Sequence, residues 1–220
     1  MFAEPLFGDR REAGRSLAER LRPSIEHKNA LVLALPRGGV PVGFEIAQNL
    51  HCDLDVFLVR KIGVPGQEEL AMGAVASGGI RVLNHAIIQH LGIPDIVIER
   101  ATERELQEIA RRERLYREGR PPLNPRNRTV ALVDDGLATG ATMLAAAAAV
   151  RQREPARLIV AVPVASKEAC DEFRGHVDEV VCAATPEPFY AVGVWYENFP
   201  QVSDDEVREL LERAARQHIA

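Results

Sequence analysis

The chain has 220 residues, of which 46% are hydrophobic, 27% charged and only 5% aromatic, with a formal net charge of −5. That apolar content excludes a disordered segment, the length favours one domain, and the acidic balance argues against a general nucleic-acid binder. A local phosphate pocket stays open. The cysteines, Cys52, Cys170 and Cys182, are odd in number and lack CxxC spacing, which suggests neither a disulfide framework nor a zinc site. The opening MFAEPLFGDRREAG has no apolar leader core, and no apolar run approaches membrane-spanning length. A cytoplasmic protein without membrane contact is the expectation.

In chain order, residues 8–22 place Ala13, Leu17, Ala18 and Leu21 on one face of a short helix closed by Pro23. ALVLAL (30–35) has strand length and is continuously apolar. It runs into PRGG, then into the helical spacing of VPVGFEIAQNL (40–50) and the β-rich LDVFLVR (54–60). This is a βαβ unit, so parallel strands with both faces covered are expected. Residues 61–84 break the alternation. Glycines at 63, 66, 73, 78 and 79 suggest a mobile stretch followed by a hairpin around Gly78-Gly79. From 94 to 119 the pattern is a long Arg/Glu-rich helix, mostly solvated, with one apolar stripe. TVALVD (129–134), a helix at 141–151, RLIVAVPV (157–164), a helix near 166–174 and DEVVCAA (178–184) resume the alternation. Residues 185–200 are irregular and aromatic, and Ser203 with Glu206 opens a last helix as a capping box. One α/β domain over 1–220 with a mainly parallel sheet is the reading.

Chemistry concentrates at VALVDDGLATGAT (130–142). Ligands of open parallel sheets sit at the carboxyl ends of strands, where Asp134 and Asp135 fall. Behind them Gly136, Leu137, Ala138, Thr139, Gly140, Ala141 and Thr142 lead into a helix N-terminus, whose N–H groups and dipole favour phosphate. Carboxylates that accept hydrogen bonds thus precede a nest that donates them. A ribose 5-phosphate satisfies both halves. Neither GxxxxGK[ST] nor GxGxxG is present.

These residues resemble the phosphoribosyl-diphosphate signature of type I phosphoribosyltransferases, and the order of strands and helices matches that fold over most of the chain. The resemblance implies a five-stranded, mainly parallel sheet flanked by helices, with a flexible loop (about 61–84) and a small hood (about 185–200). It implies that Asp134 and Asp135 hold the ribose hydroxyls and that 138–142 wrap the 5-phosphate. Pro36, Arg37, Gly38 and Gly39 match the family's pyrophosphate loop, in which a cis peptide adjoining Arg37 is expected. Arg60 and Lys61 resemble a basic pair reaching pyrophosphate, though Lys61 also suits a plain surface position. Glu68 and Glu69 fit either loop carboxylates or solvated residues. RKIGVPGQEELAMGAV with VGVWYENFPQVSDDEV is similar to a group of bacterial phosphoribosyltransferases of unsettled acceptor.

In the hood, Phe189, Tyr190, Trp195, Tyr196 and Phe199 account for five of eleven aromatics. They suit stacking on a base, with Trp195 and then Tyr196 foremost, and equally the core of a subdomain. Ala138 stands where hypoxanthine-guanine relatives carry an Asp. None of the six histidines forms a metal-site spacing.

The activity implied is transfer of the phosphoribosyl group from phosphoribosyl diphosphate to a base, within nucleotide metabolism such as purine or pyrimidine salvage. Asp134, Asp135, Arg37 and Lys61 would be its catalytic groups, and Mg2+ its cofactor, reached by the two aspartates through water. The rival is a non-catalytic regulator that keeps the same pocket. Relatives are often homodimers.

Overall fold

The computed structural model describes residues 4–25 and 29–217; Lys28 and two of the six histidines, His27 and His218, lie outside them. The chain begins with α1 (Arg10–Leu21), capped by the Asp9 carboxylate on the amides of Arg11 and Glu12. It continues through β1 (Ala30–Ala34), α2 (Gly39–Leu50) and β2 (Asp53–Val56), the expected βαβ unit. After β6 (Thr129–Val133) come α5 (Ala141–Arg151), β7 (Arg157–Val164), α6 (Lys167–Glu172) and β8 (Glu179–Ala184). These strands form one five-stranded sheet in the order β2-β1-β6-β7-β8, and every pairing is parallel. Because β1, β6 and β7 are central, their runs are continuously apolar after the opening Thr129 and Arg157 of β6 and β7 rather than alternating, as covering on both faces requires. One cluster packs α1, α2 and the last helix, α7 (Asp204–Gln217), on one face; the other packs α5 and α6 on the opposite face.

Residues 59–83 are more regular than the mobile stretch expected. They build β3 (Val59–Val64), β4 (Gln67–Ala76) and β5 (Ile80–Leu83), a separate antiparallel sheet. Ile62, Val64, Met72, Ala74, Val75 and Ala76 are all buried, so this sheet has a packed face. The expected hairpin is β4–β5. Its turn uses Gly78 and Gly79, both at positive φ, and the Arg153 guanidinium lies where a Cβ on Gly78 would go. Arg153 also donates to the Ser77 carbonyl. The exposed glycine-containing part is the β3–β4 tip at Pro65–Gly66.

The expected charged helix is α4 (Asp95–Arg117); a short helix, α3 (His85–Leu91), precedes it, set off by Gly92 at positive φ and Pro94. The stripe of α4 is less apolar than expected. Glu105 and Arg117 are buried in it beside Ile98, Ala101, Ile109 and Tyr116. Arg117 is paired with the buried Asp55 at 2.9 Å and bonded to the Val56 carbonyl, which ties α4 to the sheet edge. The cysteine expectation needs correcting: Cys170 of α6 and Cys182 of β8 form a disulfide. The fold brings them together although their spacing carries no motif. Cys52 is buried, and burial pushes its thiol up to about 12.

Candidate ribose-phosphate and pyrophosphate site

The β1–β6 pairing sets Ala34 opposite Val133, so the loops that follow these strands lie side by side. At this point successive connections diverge, β1 to β2 on one side and β6 to β7 on the other. That is the topological switch where open α/β sheets bind ligands. The Leu35 amide donates to the Val133 carbonyl, and a Cβ on Gly38 would run into the Asp135 carboxylate. PRGG and Asp-Asp therefore form one crevice, and Gly38 is needed for their approach.

Asp134 and Asp135 are only partly exposed at the crevice wall. Burial, and then the Asp135 charge, push the Asp134 carboxyl well above the usual carboxylate range. Burial also raises Asp135, while a hydrogen bond and the charge of Arg10 work against the rise. Arg10 was not singled out in the sequence. Its Nε donates to Asp135 Oδ2 at 2.8 Å, its Nη1 donates to the Pro200 carbonyl at 2.7 Å, and its guanidinium lies 3.7 Å from the Phe199 ring centre. Fork, carbonyl and ring together hold the cation in place. No pattern within α1 marks it, because its partners are 125 and 190 residues away.

The loop behind the aspartates divides by burial. Leu137 is 3% exposed, its amide donates to the Val164 carbonyl and its carbonyl accepts from Ser166. It anchors the loop on β7. Ala138, Thr139, Ala141 and Thr142 are exposed. Gly140 takes φ 68° at the start of α5, where the Phe173 ring leaves 2.9 Å for a Cβ, and no side chain caps the helix. The first-turn amides of α5 therefore lack an intrahelical or side-chain acceptor, as an anion cradle requires. Gly136 lies against Val192 of the hood.

The Pro36–Arg37 peptide is cis. The amides of Gly39 and Val40 are bonded to the carbonyls of Leu35 and Arg37. Among the described residues those of Arg37 and Gly38 have no backbone partner, so Gly39 contributes room rather than a donor. Arg37 is 3.7 Å from Asp204 at the start of α7, and Asp204 accepts from the Tyr116 hydroxyl at 2.7 Å. Burial and that bond push Tyr116 up to about 12. Arg60 donates from Nε to Glu105 at 2.5 Å. A cleft of about 30 Å³ at the PRGG loop is lined by Pro36, Val59, Arg60, Thr142 and also Arg112 of α4. Neighbouring strand residues face opposite ways, so the Lys61 side chain leaves β3 on the other face, and it is exposed. Glu68 is exposed near the tip; the Glu69 side chain lies outside those described.

The hood contains a 3-10 helix, Val192–Trp195, and takes in the N-terminal segment through Leu6 and Phe7, whose amides donate to the Trp195 carbonyl. Trp195 and Tyr196 are 6% and 4% exposed and pack with Ala13 and Val164. The Tyr196 hydroxyl donates to the Asp135 carbonyl at 2.6 Å, which makes Tyr196 a support of the carboxylate segment. Tyr190, by contrast, is 74% exposed.

Among the described residues no group of three or more His, Cys, Asp or Glu side chains is placed to hold a metal ion. Two adjacent carboxylates fit a hydrated cation carried largely by substrate phosphates, the usual habit of Mg2+. No described helix is long and apolar enough to cross a membrane. A larger cleft of about 260 Å³ lies at the amino end of β2, away from these loops.

Comparison with known proteins agrees with this geometry. Residues 9–194 match the model of the phosphoribosyl transferase domain. A Mycobacterium tuberculosis (strain CDC 1551 / Oshkosh) protein named "Putative phosphoribosyl transferase MT0597" is 46% identical over 211 residues, 96% of this chain and 47% of the relative. The chain thus spans about half the length of the curated relatives it matches. The crystal structure of TT1426 from Thermus thermophilus is 44% identical, covers 94% of this chain and 98% of its own, and superposes with a TM-score of 0.85. A purine phosphoribosyltransferase from Pyrococcus horikoshii Ot3 shares the fold at 16% identity, with a TM-score of 0.51 over 92% of this chain and 99% of that one. The parallel sheet, the paired loops at its switch point and the match over residues 9–194 place the chain in the phosphoribosyl transferase family.

Proposed function

We propose that the chain transfers the 5-phosphoribosyl group of phosphoribosyl diphosphate to a nitrogenous base and releases pyrophosphate. One observation carries this reading: Asp134-Asp135 and the uncapped start of α5 lie in one crevice, directly against the PRGG loop. Hydroxyl acceptors, a phosphate cradle and a cationic loop are thereby arranged in the order of the donor's own groups.

In the reaction the base nitrogen's lone pair forms a bond to C1 of the ribose. The C1–O bond breaks, and its electron pair leaves with pyrophosphate. Asp134 and Asp135 accept from the ribose hydroxyls and balance the positive charge that develops on the sugar. The 138–142 segment, exposed except at Gly140, holds the 5-phosphate. Arg37 and Arg60 attract the leaving group once their carboxylate partners release them; Lys61, exposed on the other face of β3, would add its charge only if the β3–β4 hairpin moved. Bound Mg2+ would supply charge neutralisation at the diphosphate. Tyr190 offers an exposed ring for the base, while Trp195 and Tyr196 support the hood from inside. Ala138 gives no carboxylate to a 6-oxopurine.

The test is binding and turnover. Wild-type protein should bind phosphoribosyl diphosphate with Mg2+ and release pyrophosphate with at least one member of a panel of bases. Asp134→Asn with Asp135→Asn should lower the rate about 10²-fold or more. Donor binding without release for any base would make it a binding protein, and no donor binding would defeat the reading.

A further inference from the structure

We propose that Arg112 of α4 is a pyrophosphate-binding residue, held on Glu108 until the donor's diphosphate displaces that carboxylate. This rests on the phosphoribosyl-diphosphate reading above. Arg112 lines the cleft at PRGG together with Pro36 of the loop, Arg60 of β3 and Thr142 in the first turn of α5. A cation at that point stands between the proposed phosphate cradle and the proposed pyrophosphate loop.

Arg112 donates from Nε to Glu108 Oε1 at 2.7 Å, its one hydrogen bond among the described residues. A guanidinium has five N–H donors in a planar fork, so most of its capacity is unspent. Arg60 is held the same way by Glu105, one turn earlier on α4. Arg37 stands off Asp204 at 3.7 Å. Three arginines from three separate elements therefore border the loop, each beside a carboxylate.

The carboxylates suit an exchange. Glu108 is shared between Arg111 and Arg112, and their hydrogen bonds hold its carboxyl down to about 2, so it is a competent anion at any working pH. The Arg112 and Glu108 side chains remain 35% and 27% exposed, and a pair so placed contributes little to stability. A multiply charged diphosphate offers paired oxygens in the geometry a guanidinium prefers, and outcompetes one carboxylate. The glutamate keeps the arginine oriented in the meantime.

Titration calorimetry with inorganic pyrophosphate and, separately, ribose 5-phosphate distinguishes the outcomes. Arg112→Gln should weaken pyrophosphate binding about tenfold or more and leave ribose 5-phosphate within about twofold, which also shows that the fold is intact. Glu108→Gln, which releases Arg112, should preserve or tighten pyrophosphate binding. The inference is overturned if Arg112→Gln binds pyrophosphate as wild type does, or weakens both probes alike. Weakening by Glu108→Gln to the same extent overturns it too. Wild-type protein that binds ribose 5-phosphate but not pyrophosphate defeats this inference alone; binding of neither defeats the reading beneath it.

Discussion

The two halves of the crevice are built on opposite plans. The ribose-phosphate half comes from one uninterrupted segment, 134–142, and much of its donor capacity is backbone: the open first turn of α5 behind two carboxylates. The basic half comes from side chains on the PRGG loop, β3 and α4, and its arginines are engaged with Asp204, Glu105 and Glu108. One half is positioned by the sheet and its backbone. The other is assembled from long side chains that must exchange partners. Mutations should therefore damage the first through packing and buried charge, and tune the second through affinity.

Arg10→Ala should have the largest effect, because it strands a carboxylate of the ribose-phosphate half. Arg10 and Asp135 side chains are 9% and 16% exposed, and breaking such a pair costs about 3 kcal/mol. With Arg10 gone, the Asp135 carboxyl should rise further. A group whose folded pKa lies above its unfolded value contributes stability that is full below the unfolded value, near 3.9 for Asp, and is lost as pH rises through the folded one. The variant and wild type should therefore differ least near pH 4 and diverge towards neutrality in thermal melts. The acidic limb of donor binding should move to higher pH, and Arg10→Lys should restore part of it. A stability difference that does not depend on pH would break the comparison.

Gly38→Ala comes next, since it forces the halves apart where the added methyl meets Asp135. Overpacking of this kind costs about 2 kcal/mol. Chemical denaturation should report that loss, with donor affinity falling alongside it. Unchanged donor affinity would mean that the halves do not have to touch.

Asp134→Asn is the smallest and has the opposite sign. Its carboxyl is raised by burial and by Asp135, so ionising it destabilises the ligand-free chain. A neutral isostere should stabilise by about 1 kcal/mol at neutral pH, or about 2–4 °C in the melting midpoint, while losing donor binding. A lower melting midpoint would show that the carboxylate is structural instead.

The same contrast explains what could be read from residues alone. The strands, α2, α5 and the cradle were legible because each rests on neighbours in sequence: apolar runs of strand length, then Asp-Asp, then Thr-Gly-Ala-Thr. Arg10 and Arg112 were not. Arg112 sits in a run of Arg and Glu where solvation and site formation look alike, and only the docking of α4 beside PRGG separates it from Arg111. The packed sheet at 59–83 was hidden by its glycines, which mark a bulge near Gly63 and the turn at 78–79 rather than slack chain. The Cys170–Cys182 bridge joins a short helix to an edge strand that no local pattern pairs. Trp195 and Tyr196 were identifiable as hood aromatics, yet composition could not tell an inward ring from an outward one such as Tyr190.

Arg10 has one more consequence, and it concerns the order in which the chain becomes competent. Its side chain joins residue 10 to residue 135 and to the carbonyl of residue 200, and Arg37 leans on Asp204 of the last helix. A chain emerging from the ribosome carries Asp-Asp and PRGG long before these late partners exist. The crevice is completed only when residues 200 and 204 fold back onto it, so ligand capture becomes a report that this later segment has docked.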